Sequence, residues 1–331
     1  MKLLILTSNL HRQGYRQRVH VYLDFLQENG ISCEVSSLPS SPIKRWRLFA
    51  RSRFYDVVWL IKKQLTWADA HFLRHFAQRI LYSYDDAVML DEQDLLGRKR
   101  SCWFRWLRSV QTADFVLTGS SYLAELARPY HPQVFVLPIG LRMSDYQFKN
   151  WEQSDGFVHL VWIGSQSTLR YLEEIRSVLE QIGRKYPQVR LRIIGDDFLD
   201  LQNMPVDKIR WSLEARREGL ATSDIGLAPL PDTPFTRGKC SFKVLEYSAS
   251  GLPVIGSPVG TNSQYILHGV SGYLVETKEE WLARIEELIA NRDLCRRMGQ
   301  AGRKHAETFD ISVVGMRLRD YLLEIASQKR V

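Results

Sequence analysis

The sequence predicts an α/β protein with two doubly wound, Rossmann-like domains, each built on a parallel sheet. Two observations lead to this prediction. Short apolar runs of strand length alternate with helical stretches up to about residue 140, and the same alternation restarts near residue 158. At 331 residues, the chain is also long enough for two ordinary domains. The predicted domains are 1–150 and 151–310. A C-terminal helix is predicted at 311–331, and packing of this helix back on the first domain is one arrangement open to it.

The first half holds six predicted strands. Lys2–Thr7 is a continuous apolar run, which is typical of a strand buried on both faces. Apolar residues at helical spacing predict a helix over 19–29, and Gly30 ends it. The other predicted strands are 31–36, 56–61, 79–84, 115–118 and 134–137.

The second half repeats the alternation after a polar, irregular stretch, 141–155, which is predicted to be a linker. Its predicted strands are 158–163, 189–194, 209–211, 224–228, 252–255 and 272–275. Its predicted helices are 218–222, 241–250, 279–291, 292–308 and 311–327. The two halves share an architecture without being a sequence repeat.

Composition and charge narrow the class of protein. The apolar fraction of 45% and the charged fraction of 25% are typical of a soluble globular protein. No apolar run approaches the roughly 18 residues of a membrane-spanning helix. The four cysteines are scattered without a CxxC pair, which argues against a disulfide framework or a zinc site and favours the reducing cytoplasm.

The basic excess lies entirely in the first half. Residues 1–150 hold 21 Lys and Arg against 13 Asp and Glu, whereas residues 151–331 hold 24 of each. Two segments, 44–54 and 98–108, combine basic with aromatic residues. They suit peripheral binding to an anionic membrane surface, such as the inner face of the plasma membrane. The alternative, solvated helices whose aromatic side chains face their own core, stays open. A role in nucleic-acid binding is disfavoured, because no known module accompanies the basic excess.

The stretch 237–262 predicts an anion-binding site in the second half. Arg237 and Lys239 flank Gly238 in a basic turn, and a short helix follows at 241–250 with Ser241 as its N-cap. The first turn of a helix carries free backbone N–H groups and the positive end of the helix dipole. Lys243 and Glu246 share one face of this helix, where a carboxylate can accept from the hydroxyls of a ribose. The alternative is a surface ion pair beside glycines that only make turns.

Loops that follow the predicted strands carry most of the glycine, serine and charged residues. Because ligands bind outside the carboxyl ends of parallel strands, we expect these loops to line a ligand site, in a cleft between the two domains. They are Gly14, Asp85–Asp86, Gly119–Ser120, Gly164–Thr168, Asp196 and the stretch 237–246.

Several motifs of the second half resemble the donor-binding segment of retaining glycosyltransferases of the GT-B fold, in the large family 4 group (group 1), and a bacterial branch of it. They are VWIGSQSTLRYL, LRIIGDD, DIGLAPLPDTPFTRGKC and the stretch RGKCSFKVLEYSASGLPVIGSPVGTN. The resemblance covers about residues 158–309. Over residues 1–150 only the strand order and YSYDDA suggest it.

The resemblance implies a nucleotide-sugar donor, UDP- or GDP-linked, held by the second domain. Glu246 would accept from the ribose, the backbone amides of Phe242, Lys243 and Val244 would hold the diphosphate, and Trp211 would lie near the base. The acceptor would be a glycan or a lipid-linked sugar. GT-B enzymes generally need no metal, and no further cofactor is expected, so Asp196–Asp197 is interpreted as a loop or cap.

Two positions depart from the family pattern. Gly238 stands where a glutamate usually contacts the donor sugar, eight residues before Glu246. The loop after the first strand of the second domain is Gly164–Thr168, without the usual Arg and Lys. We therefore expect Arg237 and Lys239 to neutralise the departing diphosphate, with help from the Ser165 and Ser167 hydroxyls.

The first domain supplies the remaining candidates. The pair Asp85–Asp86 is expected to orient the acceptor hydroxyl, or Asp85 to act as a weak base, and capping of a following helix is the alternative. Gly14 is expected where a loop approaches the ligands closely, with Arg16 near the donor phosphate or an anionic acceptor. Two other functions stay open at this point: a non-catalytic module that binds a nucleotide or glycan, and a sugar-nucleotide epimerase.

Overall fold

The chain folds into two compact units in a computed structural model that describes residues 1–10, 13–90 and 100–328. The first unit consists of Met1–Leu141, Thr233–Cys240 and Phe309–Val331. The second unit consists of Arg142–Asp232 and Ser241–Thr308. The first boundary thus lies after Leu141, nine residues before the predicted one, and the short segment 233–240 belongs to the first unit, although the predicted second domain contained it.

The first unit is built on a six-stranded parallel sheet in the order β2-β1-β3-β4-β5-β6. Its strands are β1 (Lys2–Thr7), β2 (Ser32–Ser37), β3 (Val57–Ile61), β4 (Ile80–Tyr84), β5 (Phe115–Thr118) and β6 (Val134–Val136). Its helices are α1 (Gln13–Tyr15), which runs into a π-helical turn (Arg16–His20), α2 (Val21–Glu28), α3 (Pro42–Arg51), α4 (Trp67–Phe76), α5 (Arg100–Thr112), α6 (Ser121–Ala127), α10 (Pro234–Arg237) and α15 (Ile311–Ser327), numbered along the whole chain.

Apolar strands place the core of the first unit on both faces of its sheet. Every residue of β3 and β4 is buried, as expected for central strands of a parallel sheet. Helices α3 to α6 cover one face. Helices α2 and α15 cover the other, where α15 contributes Val314, Leu318, Leu322 and Ile325 at helical spacing.

The second unit is built on a parallel sheet in the order β12-β11-β10-β7-β8-β9. Its strands are β7 (Val158–Ile163), β8 (Val189–Gly195), β9 (Val206–Arg210), β10 (Ile225–Ala228), β11 (Val254–Gly256) and β12 (Gly272–Leu274). Its helices are α7 (Gln166–Glu173), α8 (Arg176–Lys185), α9 (Leu213–Ala221), α11 (Phe242–Ala249), α12 (Asn262–Tyr265), α13 (Lys278–Ala290) and α14 (Arg292–Ala306).

The strand order of each sheet reverses at one place, and this fixes where a ligand is expected. In the first sheet the chain starts at β1, moves outward to β2 and returns to β3 on the other side of β1. In the second sheet it starts at β7, moves outward through β8 to β9, and returns to β10 on the other side of β7. Loops diverge at such switch points and leave a crevice outside the carboxyl ends of the strands. The two crevices therefore open beside β1 and β3, and beside β7 and β10.

The predicted linker 141–155 is irregular but is packed against the second unit. Tyr146, Lys149 and Trp151 are all buried. Arg292 of α14 donates to the carbonyl oxygen of Trp151 at 2.7 Å. Tertiary contacts thus bury these side chains in spite of the polar composition around them.

Candidate active site

Helix α11 begins beside the switch point of the second sheet, and a buried tyrosine anchors it there. The Tyr247 hydroxyl accepts from the backbone N–H of Ile163 at the end of β7, at 2.9 Å, and donates to the carbonyl of Leu227 in β10, at 3.2 Å. One side chain thus joins α11 to the two strands that flank the crevice. This anchor places the first turn of α11 next to the loops that follow β7 and β10.

Glu246 lies in α11 one residue before this anchor and is buried, with 3% of its surface exposed. Its Oε1 accepts from the hydroxyl of Tyr146 at 3.2 Å and lies 3.5 Å from Nη1 of Arg216 in α9. The guanidinium of Arg216 stacks over the Tyr146 ring, 4.6 Å from its centroid. The two neighbours hold the carboxylate in one orientation, as a ligand-binding acceptor requires.

Burial raises the pKa of the Glu246 carboxyl above its ordinary value, and Arg216, Tyr146 and Lys243 offset part of this rise. A carboxylate that loses water on burial favours its protonated form unless donors replace that water. Glu246 is therefore suited to accept further hydrogen bonds from a ligand.

The loop after β7 lies close to the start of α11. Nζ of Lys243 is 4.1 Å from the centre of the Trp162 ring, which is a cation–π contact. A Cβ atom added at Gly164 would lie 2.6 Å from the same ring, so only glycine fits there without a shift. Gly164 and Lys243 are 79 positions apart in sequence. Both thus lie next to the Trp162 ring.

Exposed hydroxyl groups crowd the turn that opens α7. Oγ of Ser165 lies 3.0 Å from Oγ of Ser167 and 3.5 Å from Oγ1 of Thr168. Ser165 occupies the N-cap position, but its side chain makes no capping hydrogen bond. These hydroxyls are available to donate to an anionic ligand.

The start of α11 differs from the predicted cap. Ser241 occupies the N-cap position, but it has a left-handed backbone (φ +44°) and its side chain caps nothing. The N–H of Val244 donates to the Ser241 carbonyl at 2.9 Å. The N–H groups of Phe242 and Lys243 are among the first of the helix, which have no carbonyl partner within the helix. Two of the three predicted amides therefore keep the geometry of an anion site, and the third has an internal partner.

Trp211 follows β9 at the edge of the second sheet. Its backbone N–H donates to the carbonyl of Gly195, the last residue of β8, at 3.2 Å. The ring is half-buried, and its Nε1 is buried without a hydrogen-bond partner among the described residues.

Arg237, Gly238 and Lys239 lie in the segment that belongs to the first unit. Arg237 is exposed, and Nζ of Lys239 lies 4.7 Å from the centre of the Phe235 ring. The structure therefore does not group them with Glu246 in one unit, as the domain prediction did. A Cβ atom at Gly238 would lie 2.6 Å from Cβ of Ala87 and 3.1 Å from Cδ2 of Leu123. The absence of a side chain at 238 thus has a packing reason inside the first unit.

Asp85 follows β4 and is tied to two cations. It is buried, with 3% of its surface exposed, and Nε of Arg18 lies 2.8 Å from its Oδ2. Nζ of Lys62, after β3, contacts its Oδ1. Burial alone would raise the pKa of this carboxyl, but Arg18 and Lys62 together hold it well below its ordinary value. A carboxylate so strongly stabilised in its charged form is a poor proton acceptor.

The backbone around this ion cluster is unusual. Lys62 has a left-handed conformation (φ +54°), which costs a non-glycine residue about 1–2 kcal/mol. A Cβ atom at Gly14 would point at Nζ of Lys62, 3.7 Å away. Arg16, the predicted partner of Gly14, is exposed, whereas Arg18 is buried against Asp85. The alternative role of Asp85 as a helix cap does not fit, because Ala87–Leu90 forms no helix and residues 91–99 lie outside the described residues.

Two further expectations concern a metal site and the role of Asp196–Asp197. Within residues 1–10, 13–90 and 100–328, no three His, Cys, Asp or Glu side chains are grouped so that they could hold a metal ion. Asp197 accepts from the N–H of Phe198 at 2.9 Å, which is the contact of a loop aspartate. In the same ranges, no helix is both long enough and apolar enough to cross a bilayer.

Sequence reasoning missed five residues that build these two sites: Tyr146, Trp162, Arg216, Lys62 and Arg18. Trp162 is the second-last residue of the predicted strand 158–163 and Lys62 directly follows the predicted strand 56–61, so strand-end position could have found them. Tyr146 and Arg216 are separated from Glu246 by 100 and 30 positions, and no local pattern marks them.

Part of the second unit matches a known protein family. Residues 158–291 match the family model described as glycosyl transferases group 1, and they contain Trp162, Arg216 and Glu246. No curated protein sequence matches the chain.

Three solved structures share the fold over nearly the whole chain. Sucrose-phosphate synthase from Thermosynechococcus elongatus is 14% identical, with 98% of each chain covered and a TM-score of 0.79. HepE of Anabaena, solved in complex with UDP and glucose, is 14% identical, with 98% of this chain and 100% of that chain covered and a TM-score of 0.75. A glycosyltransferase from Rickettsia africae is 13% identical, with 99% of each chain covered and a TM-score of 0.74.

The shared fold confirms the predicted α/β architecture with two parallel sheets, and the family match confirms the resemblance that the motifs show. The chain therefore has the GT-B fold, and its residues 158–291 form a domain of the group 1 glycosyltransferases.

Proposed function

We propose that this glycosyltransferase takes a sugar from a UDP-linked donor bound by the second unit and transfers it to a glycan or lipid-linked acceptor with retention of the anomeric configuration. The buried Glu246, held by Tyr146 and Arg216 beside the switch point of the second sheet, carries the proposal. HepE of Anabaena, which shares the fold, is solved in complex with UDP-glucose. That favours UDP over GDP as the nucleotide.

Glu246 is proposed to accept from the ribose hydroxyls. Burial raises the pKa of this carboxyl in spite of Tyr146 and Arg216, and two adjacent ribose hydroxyls would add further donors to it. Hydrogen bonds to a charged acceptor contribute about 1.5–3 kcal/mol each. This interaction identifies the nucleoside part of the donor and leaves the sugar unspecified.

The departing diphosphate is proposed to lie between the start of α11 and the hydroxyls of α7. Negative charge develops on the leaving group during glycosyl transfer, and its stabilisation is the largest requirement of the reaction. The N–H groups of Phe242 and Lys243, the Lys243 ammonium and the Ser165 and Ser167 hydroxyls supply donors from one unit. The roles predicted for Arg237 and Lys239 at the same phosphates stay predictions.

Retention does not require a strong protein base in this proposal. The leaving phosphate oxygen can take the acceptor proton, as the resemblance to retaining enzymes implies. The doubly paired state of Asp85 supports this view, because its carboxylate is already stabilised as an anion. NMR assignment of the anomeric configuration of donor and product tests retention, and an inverted product would contradict it.

A thermal-shift panel of UDP, GDP, ADP and their sugars tests the donor assignment. A ligand at about 100 times its dissociation constant adds about 2.7 kcal/mol to stability. We expect UDP to raise the melting temperature of the wild type and to lose most of this effect with Glu246→Ala. If no nucleotide shifts the wild type, the donor site is wrong. Reaction of a nucleotide sugar in the absence of any acceptor would favour an epimerase, and glycan binding without turnover would favour a non-catalytic module.

Peripheral membrane binding is proposed for a cationic face of the first unit, which we call the α3–α5 face (residues 42–54, 67–76 and 100–112). Within it, α3 and α5 hold seven Lys and Arg and no acidic residue. Four apolar side chains of this face are more than half exposed: Ile43, Phe54, Trp67 and Phe104. An anionic bilayer suits a surface that presents cations together with aromatic side chains.

Of the aromatic residues in the two predicted segments, Phe54 and Phe104 are more than half exposed. Phe49 and Trp106 are buried, and Trp46 stacks on Phe72 at 4.5 Å, so these rings belong to the core. Trp67 and Phe104 instead line a groove of about 640 Å³ between α4 and α5. Residues 98 and 99 of the second predicted segment lie outside the described residues. The proposed membrane contact therefore involves the groove rather than the whole of both segments.

A further inference from the structure

We propose that Asp86 and Lys62 form a sugar-binding subsite in the first unit, in which Asp86 accepts from one hydroxyl of the acceptor and Lys62 donates to the neighbouring one. This inference deepens the proposed function, on which it rests, because it assigns the acceptor side of the reaction to particular residues. Of the pair Asp85–Asp86, which was expected to orient the acceptor hydroxyl, it assigns this role to Asp86.

The position of the pair is the first argument. Lys62 follows β3, and Gly14 of α1 comes after β1, so the two lie on either side of the switch point of the first sheet. Asp86 follows β4, the next strand. Ligands bind in the crevice at such a point. The second sheet places Glu246 at its own switch point in the same way.

The two aspartates differ in what they can reach. Both oxygens of Asp85 face cations, Oδ1 towards Lys62 and Oδ2 towards Arg18, and its side chain is only 3% exposed. The side chain of Asp86 is 39% exposed, and its Oδ2 meets Nζ of Lys62 at 2.7 Å. No contact of its Oδ1 is found within the described residues. Asp86 can therefore accept from a ligand, whereas Asp85 would first have to give up a buried ion pair.

Lys62 is placed to contact the same ligand. Its ammonium has three N–H groups, and the two carboxylates take two of them. Its side chain is 29% exposed, and the space next to Nζ faces Gly14, where any side chain would begin 3.7 Å from the ammonium. Glycine at 14 thus leaves room for a ligand beside Lys62.

A second cation, Arg18, also belongs to this cluster, because it pairs with Asp85. Arg18 is buried, with 7% of its surface exposed, and its Nη2 has no hydrogen-bond partner among the described residues. A Cβ atom at Gly119 would lie 2.3 Å from this nitrogen, so glycine at 119 makes room for the guanidinium. Arg18 and Asp85 together fix the position from which Lys62 reaches Asp86.

The charges of these side chains favour a neutral sugar over a phosphate as the ligand. Arg18 and Lys62 are matched by Asp85 and Asp86, so the four side chains sum to zero and a phosphate would lie against the Asp86 carboxylate. A carboxylate only accepts hydrogen bonds and an ammonium only donates them, whereas a hydroxyl does both. A carboxylate and an ammonium 2.7 Å apart therefore match two neighbouring hydroxyls of a neutral sugar.

Asp86→Asn is the decisive variant, and Asp320→Asn is its matched control. Asp320 is an exposed carboxylate of the first unit that pairs with Arg319 on α15. The acceptors are p-nitrophenyl hexopyranosides, and the donor is the UDP-sugar that gives turnover. The rate is measured as release of UDP. We expect Asp86→Asn to raise the acceptor KM at least tenfold and to leave the thermal shift by UDP unchanged. Asp320→Asn should change neither.

Deoxy acceptors test the hydrogen bond itself. For the monodeoxy glycoside that lacks the hydroxyl bound by Asp86, wild type and Asp86→Asn should have the same KM. An unchanged acceptor KM in Asp86→Asn, or a full effect of the substitution on every deoxy acceptor, would overturn the subsite. So would a wild type that responds to UDP but uses none of the glycosides. A wild type without any response to nucleotides would instead contradict the proposed donor site. Lys62→Met is a weaker test, because Lys62 also holds Asp85.

Discussion

Gly238 lies directly against Ala87: a Cβ atom at residue 238 would come within 2.6 Å of the Ala87 methyl group. The backbone at Gly238 is ordinary (φ −85°), so contact and not backbone conformation requires the glycine. Enzymes with the motifs described above usually carry a sugar-contacting glutamate at this position. In this chain the position is filled by packing within the first unit.

Gly238→Ala is expected to destabilise the protein by about 1–3 kcal/mol, because it overpacks a tight contact. The added methyl group meets both Ala87 and Leu123. Denaturation by urea measures the effect, and Ala87→Gly in the same chain should restore part of the loss. The thermal shift by UDP should not change. A Gly238→Glu variant that folds normally and binds nucleotide sugars more tightly would contradict this explanation.

Tyr146→Phe is expected to weaken UDP binding about two- to tenfold, because it removes one hydrogen bond, from an uncharged donor, that orients the Glu246 carboxylate. Glu246→Gln should weaken it further, by about 10- to 100-fold, because the ribose then meets an uncharged amide. Isothermal titration measures both. Tyr273→Phe is the matched control, since it removes a similar tyrosine–glutamate bond to Glu287 on α13. Equal losses in the two tyrosine variants would show that Tyr146 has no special role.

UDP binding is expected to strengthen as the pH rises through the elevated pKa of Glu246. A raised pKa in the folded protein means that the carboxyl contributes more stability when protonated, and this contribution is lost as the pH rises through that pKa. A ribose that donates to the ionised carboxylate stabilises the form that is then populated. The gain in melting temperature with UDP should therefore grow over this window. In Glu246→Gln only the titration of the nucleotide phosphate should remain, and an equal slope in both proteins would argue against the ribose contact.

Asp85→Asn is expected to cost about 3–5 kcal/mol of stability, because it leaves two cations without their buried partner. The sign of the pH dependence is opposite to that of Glu246. The pKa of Asp85 is lowered by folding, so its contribution is present above the ordinary aspartate pKa and is lost as the pH falls through the folded value. Acid unfolding of the wild type should thus be steeper than that of the variant. Parallel curves would show that Asp85 is not ionised in the folded protein.

Trp67→Ala combined with Phe104→Ala is expected to reduce binding to vesicles that contain phosphatidylglycerol several-fold, because both exposed rings would be lost from the α3–α5 face. Co-sedimentation measures this binding, and added salt should weaken it in the wild type. Met316→Ala with Leu323→Ala is the control, since these side chains of α15 are also exposed. A wild type that shows no preference for anionic over neutral vesicles would refute the proposed membrane contact.

The sequence predicted all twelve strands within a few residues, because apolar runs buried on both faces leave a continuous signal. Central strands such as β3 show it best, since all five of its residues are buried. Helix α4 was not predicted. The burial of Tyr146 and Trp151 in the stretch 141–155 was not predicted either, because the residues around them are polar. Whether these rings are buried depends on residues such as Arg292, 141 positions away from Trp151.

The site could be predicted only as far as local pattern reaches. The start of α11 and Glu246 lie in one continuous stretch, so their proximity follows from helical geometry. The contact of Glu246 with Arg216 joins two helices, and tertiary packing alone determines it. Arg18 is one of three arginines in the polar loop NLHRQGYRQR, and nothing in the spacing shows that it is the one that pairs with Asp85.

The chain crosses between its two units four times, at residues 141, 232, 240 and 308. The first unit is therefore encoded by three separate stretches of the gene, and the last of them supplies Val314, Leu318, Leu322 and Ile325 to its core. A single recombination event between two related genes cannot exchange one complete unit for another. New pairings of donor and acceptor specificity in such proteins are therefore expected to arise by substitutions in the loops at the strand ends rather than by exchange of whole halves.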